Sequence, residues 1–232
     1  MRKYLFFYCI ISISLFAEIC EENYPDKIPL FGDLHVHTAL SLDAATQGTI
    51  NRPDDAYRYG KGESISIQPY KDGIGQRTSK LSQPLDFMSV TDHAELLGEV
   101  NICENPELDG YSNLVCLGYR YFPKLAYFYM NGMASLAKPM SFCGDDRKNC
   151  KEATKTPWQE IIKSAEKHNA PCKFTTFVGY EWTGAKYSGN NLHRNIIFEN
   201  SSVPELPVSF YDATSREELW NKLDSECTKD CD

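Results

Sequence analysis

Four of the five histidines lie at or beside short apolar runs, in positions where together they could hold a divalent metal. In Phe31-Gly32-Asp33-Leu34-His35-Val36-His37, strand alternation puts Asp33, His35 and His37 on one face and Leu34 and Val36 on the other. Two imidazoles one residue apart on one face can chelate a single ion without bending the backbone. Neutral imidazole suits zinc, iron and other transition metals. His93 follows Asp92 at the end of the apolar run 85–90, and His193 opens a later run. Glu181 is an acid inside the apolar Val178-Gly179-Tyr180-Glu181-Trp182. An unpartnered carboxylate there would be costly to bury, so a metal or cation is expected beside it. A lone H-x-H is more often a pair of ordinary histidines. Four strand-associated sites in one chain favour a shared centre at strand ends, where ligands gather in barrel-like α/β folds.

The elements that must carry these residues follow from pattern. Strands are expected over 28–36, 85–90, 174–182 and 192–198, with helical stretches between them, which is the signature of an α/β fold. Thr156-Pro157-Trp158-Gln159 supplies a cap, a proline at the first helical position and a capping-box glutamine, for a helix running to His168. Thr214-Ser215-Arg216-Glu217 starts another helix, and Pro53-Asp54-Asp55 a third. Residues 60–84, rich in Gly, Ser, Lys and Gln, read as a surface loop or lid. A further helix is expected over 119–136. Its aromatics Tyr119, Tyr121, Phe122, Tyr127, Phe128 and Tyr129 read as packing.

Bulk properties narrow the classes. The chain has 232 residues and a formal net charge of −8, with no basic run. Nucleic acid is therefore not an expected partner, since phosphate backbones need a basic face. A small anionic substrate remains compatible, because a bound ion reverses the local potential. Oligomeric state is not legible. Arg2 and Lys3 precede an apolar stretch, Tyr4 to Ala17, and then polar residues, which reads as a signal peptide over 1–17 and a domain over 18–232. The stretch is short of the about 20 apolar residues of a membrane span. An uncleaved signal would be the only membrane contact. The chain is thus expected to be exported, periplasmic or secreted. Of nine cysteines Cys9 lies in this segment, leaving an even number for disulfides in an oxidising compartment. Cys103–Cys116 and Cys143–Cys150 are the favoured local pairs, ahead of Cys227–Cys231.

The motifs together resemble the PHP superfamily, the polymerase and histidinol phosphatase group of metal-dependent phosphoesterases. They are His35-Val36-His37, Thr91-Asp92-His93, Gly179-Tyr180-Glu181 and His193. More narrowly, Phe31 to Thr38, Pro53 to Arg58, Val90 to Glu95 and Phe177 to Thr183 resemble the exported domain of unknown function family 3604. The resemblance implies a partial or distorted β/α barrel with ligands at strand ends and up to three divalent ions of zinc, manganese or iron. It implies that His35, His37 and Glu181 share one ion, with Glu181 bridging to a second, and that His93 and His193 serve the neighbouring ions. Ser41 matches the family serine, and Asp43 lies near a further ligand position. Asp92 is expected to orient a ligand.

The chemistry so implied is hydrolysis of a small-molecule substrate, a phosphoester first, by metal-activated water. Arg194 is a candidate for binding a phosphate oxygen, against an equal expectation of a structural ion pair. The alternatives are hydrolysis of an amide or sulfate ester, or a non-catalytic exported domain that binds a metal or ligand. The resemblance also implies a late Asp-x-His, and no histidine follows His193. The chain therefore reads as the N-terminal portion of a longer protein or as a degenerate member.

Overall fold

The apolar run near Val90 becomes an interior strand because both of its edges are taken by neighbours, and the other elements are laid around it. The computed structural model describes residues 28–185, 191–227 and 231. The expected signal segment lies outside the described residues. In chain order the elements are β1 (Gly32–Val36), α1 (Leu42–Thr46), α2 (Pro53–Gly60), β2 (Ile65–Lys71), β3 (Ile74–Ser79), β4 (Phe87–Val90), α3 (Leu97–Glu104), α4 (Leu114–Tyr121) and α5 (Pro123–Ser135). There follow α6 (Lys148–His168), β5 (Thr175–Ala185), β6 (Asn191–Phe198) and α7 (Arg216–Glu226).

Four strands form one sheet in the order β1-β4-β5-β6, parallel except for the antiparallel last pair. The fold is thus mixed α/β, and the sheet curls into a half-barrel. Asn195 on β6 donates its side-chain amide to the carbonyl of Leu34 on β1 at 2.7 Å, joining the two outermost strands. Along β5, Val178, Tyr180 and Trp182 alternate into a core with Trp158 and Ile161 of α6 and Leu219 of α7. The polar ends of these aromatics are satisfied. Trp158 Nε1 donates to Pro204 O, Trp182 Nε1 donates to Ala213 O, and the Tyr180 hydroxyl accepts from Val208 N. The intervening residues Glu181 and Thr183 are left for the concave face.

Helices α2 and α7 begin where their caps predict. Arg52 N donates to Asp55, and the Ser215 hydroxyl accepts from Glu218 N. Three expectations need correction. Helix α6 begins at Lys148, so Pro157 lies inside it rather than at its start. An internal proline strands the carbonyl four residues earlier. Here the Asn101 side-chain amide donates to Ala153 O at 2.8 Å and replaces the missing N–H. The single helix expected over 119–136 is two, α4 and α5, because Pro123 forces Phe122 out of helical geometry (φ −135°, ψ 58°). Of its aromatics Tyr119 and Tyr127 pack as expected, but Tyr121, Phe122 and Phe128 are 73%, 66% and 73% exposed, and the inward stripe of α5 is Ala126, Met130 and Ala134.

The third correction concerns 60–84, which contains the β2–β3 hairpin rather than a loop. Asp72 and Gly73 both take positive φ (53° and 75°), the turn that an Asp-Gly pair favours between strands. A second core cluster lies under α3, α4 and α5, laced by Cys103–Cys116 and Cys143–Cys150. Cys227–Cys231 is also bonded, and Cys172 is in a disulfide too. The favoured local pairs are those that form, and such bonds fit an oxidising environment. No helix among the described residues is long and apolar enough to cross a membrane.

Candidate metal centre

Parallel pairing of β1, β4 and β5 brings their carboxyl ends to one rim of the sheet. The β4 backbone continues past Val90 to an isolated bridge between His93 and Glu181, where Glu181 N donates to Asp92 O and Ala94 N donates to Glu181 O. On β6, antiparallel pairing sets His193 opposite Thr183 and Asn195 opposite Glu181. All six expected ligands meet here.

Glu181 is the centre of the cluster and its carboxylate is fully buried. Its Oε2 lies 2.9 Å from His35 Nε2, 2.7 Å from His37 Nε2 and 3.7 Å from His93 Nδ1. Its Oε1 contacts His193 Nδ1. His37 Nδ1 is 2.8 Å from Asp43 Oδ2, while Asp43 Oδ1 is buried without a partner among the described residues. Donor atoms fall into three overlapping sets, each within 4.8 Å: His35, His37 and Glu181; His37, Asp43 and His93; and His93, Glu181 and His193. Adjacent sets share His37, His93 or Glu181. A fourth grouping, Glu99 with Cys143 and Cys150, has its sulfurs tied in a disulfide and offers no thiolate.

The rim grades from wet to dry. The His35 and His193 side chains are 53% and 43% exposed, against 16% for His37 and His93. Burial works against a charge on His37, but hydrogen bonds to Asp43 and Glu181 outweigh it and raise the pKa to about 10. Burial would raise Glu181, yet the His37 hydrogen bond and the surrounding imidazoles bring it down to about 2. Asp43 is likewise held well below the usual carboxylate range: burial opposes its charge, and the His37 contact overcomes that. Burial lowers His93 to about 4, which keeps it neutral with a lone pair to offer.

Asp92 does not face the cluster. Its two oxygens accept from Thr38 N and the Thr38 hydroxyl, at 2.5 and 2.7 Å, in a fully buried position. Burial raises it to about 6, partly offset by those bonds. It fixes the turn directly after His37, so it is a positioning residue. Arg194 is not brought to the cluster. It pairs with Trp182 on the other face of the hairpin, and its guanidinium stands 5.6 Å over that indole. One residue of strand register separates it from His193, which is enough to reverse its face.

Two polar residues at the site were quoted in the motifs without a role. The Thr183 hydroxyl lies 2.8 Å from His93 Nδ1 and 3.2 Å from His193 Nδ1. Glu95, raised to about 8 by burial, accepts from Phe210 N and Thr183 N. Period-two spacing from Glu181 was the available signal for Thr183. The Ser41 hydroxyl accepts from His93 N at 3.1 Å, steadying the segment that bears that histidine.

Residues 24–232 match the family described as "Protein of unknown function (DUF3604)". The chain belongs to this family. Neither a curated protein nor a solved structure matches it. Membership of DUF3604 therefore brings no activity with it, and function has to be argued from the site itself.

Proposed function

We propose that this DUF3604 chain is an exported, divalent-metal-dependent hydrolase of the PHP type, acting first on phosphoesters. The observation that carries the reading is the fully buried Glu181 carboxylate with imidazoles at both its oxygens. The residues fit an ion. Four histidines and two carboxylates face one another, and the buried Asp43 Oδ1 has no partner among the described residues. His35, His37 and Glu181 would hold one ion, with Asp43, His93 and His193 extending the site to its neighbours. Zinc, manganese and iron all suit this nitrogen and oxygen donor set. Such ions supply Lewis acidity, making water a nucleophile near neutral pH and balancing charge on a phosphoryl oxygen.

The chain's own groups do the rest. Thr183 meets His93 and His193 at the same Nδ1 atoms that approach Glu181 and ties the two rings together, and Asp92 locks the turn after His37 through Thr38. The exposed His35 and His193 leave the rim open for a substrate to enter.

The test is metal stoichiometry by elemental analysis after loading with manganese or zinc, together with hydrolysis of a generic phosphoester with and without chelator. Bound metal and chelator-sensitive turnover are expected, both sharply reduced in the His35→Ala, His37→Ala double variant. Folded protein that takes up no metal overturns the reading. Metal uptake without turnover on phosphate, sulfate or amide substrates would favour a non-catalytic binding domain.

A further inference from the structure

Between α5 and the candidate ligands Asp43, His93 and His193 lies a small cavity whose far wall takes no part in holding an ion. We propose that this cavity receives the leaving group of the substrate, a small uncharged alcohol, and that Asn131 and Ser135 select it. The inference rests on the hydrolase reading and deepens it to a substrate class.

The cavity has a volume of about 60 Å3 and lies between Asp43, His93 and His193 on one side and Tyr127, Asn131 and Ser135 on the other. The last three are spaced four residues apart, so α5 turns one continuous face toward the ligands. Among the described residues the side chains of these three have no hydrogen-bond partner. They offer a phenol, an amide and a hydroxyl, which can all donate or accept without carrying charge. Leu42, Leu96 and Ala134 supply apolar wall between them. Size limits the guest: at about 10–15 Å3 for each water-sized group, the space takes roughly five. Charge limits it too. No lysine or arginine among the described residues lines the cavity, whereas the carboxyl groups of Asp43 and Glu95 do. The ions held by Asp43, His93 and His193 would already be engaged by the phosphoryl group, so a second anionic group toward α5 would be desolvated with no further counter-charge.

The step implied needs no co-reactant. The phosphorus–oxygen bond to the alcohol breaks, a bond forms from phosphorus to the water oxygen, and a water proton ends on the departing alcohol. Orthophosphate and a neutral alcohol result.

The experiment uses the full chain loaded with manganese and measures binding calorimetrically, with each ester supplied as its non-hydrolysable phosphonate analogue, so it does not depend on turnover. The probes are orthophosphate, glycerol 2-phosphate and 3-phosphoglycerate, the last carrying an extra carboxylate. Glycerol 2-phosphate should bind at least about tenfold more tightly than 3-phosphoglycerate. The Asn131→Ala, Ser135→Ala double variant should lose about tenfold in glycerol 2-phosphate affinity, the scale expected for one or two hydrogen bonds. Its metal content and orthophosphate affinity should be unchanged. Equal affinity for the two esters, or an unaltered preference in the variant, overturns the proposal while leaving the hydrolase reading intact. Metal-loaded protein that binds no orthophosphate and turns over no phosphoester overturns both.

Discussion

His37 Nε2 lies 2.7 Å from Glu181 Oε2, and the other nitrogen of the same ring is 2.8 Å from Asp43. An imidazole with a carboxylate at each nitrogen is a cation while no ion is present. Burial opposes that charge, but the two contacts raise its pKa from 6.5 to about 10. Metal ligation needs the lone pair, so an incoming ion must displace a proton. Uptake of manganese or zinc near neutral pH should therefore release about one proton from His37. Calorimetric titration in two buffers of different ionisation enthalpy measures it, and buffer-independent heats would contradict the assignment. The sign for stability follows. A raised histidine pKa contributes stability that is full below 6.5 and lost as pH rises through about 10. Chelator-treated protein should accordingly melt at progressively lower temperature on that alkaline limb.

Asn101 and Pro157 act as a complementary pair, since the asparagine amide donates to the carbonyl that the proline leaves without a helical N–H. Asn101→Ala should destabilise the protein by about 1–2 kcal/mol, because a carbonyl in α6 loses its partner. Replacing Pro157 with alanine restores a backbone N–H for that carbonyl. In the Pro157→Ala background the Asn101→Ala penalty should shrink, a coupling that denaturant unfolding of the four proteins in a double-mutant cycle resolves. Additive effects would dissociate the two residues.

The Cys103–Cys116 bond closes a loop of 13 residues between α3 and α4, beneath the helix that walls the cavity. Loop-closure entropy puts its contribution at about 3 kcal/mol. Replacing both cysteines with serine should lower stability by that order and loosen α4 and α5 first. Hydrogen exchange would show faster opening in 114–135, while amides of β4 and β5 should change less. Uniform loss of protection across the sheet would show that the bond matters globally rather than locally.

Much of this arrangement was legible in the residue pattern, for definite reasons. Histidines beside apolar runs and one acid inside such a run are conspicuous, so His35, His37, His93, Glu181 and His193 could be grouped from the sequence. Asp43 could be placed only by likeness, because nothing in its own neighbourhood marks it; its role comes from a contact with His37 across a turn. Arg194 misled because its chemistry suits phosphate while its register points it away, and register one residue from a candidate ligand is a weak sequence signal. Pro157 misled because a proline near a capping residue normally opens a helix. The compensating amide comes from Asn101, more than fifty residues earlier, where no local pattern reveals it. The β2–β3 hairpin was hidden by polar composition, although Asp72-Gly73 announced it. The exposed aromatics of α5 show the converse failure: residue type suggested burial, and helical phase denied it.

The bond between Asn195 and Leu34 spans 161 positions of the chain. It gives the centre a place in time as well as in space. During synthesis the donors on β1 and β4 emerge long before Glu181 and His193, and bringing them together requires closing a long loop. Contacts of such separation carry a larger closure cost than those of the local helices and the hairpin. A growing chain thus has histidines but no buried carboxylate to gather them. Capture of the proposed ion would then be a readout of completed folding, the nascent polypeptide passing through its early stages without a tight grip on metal.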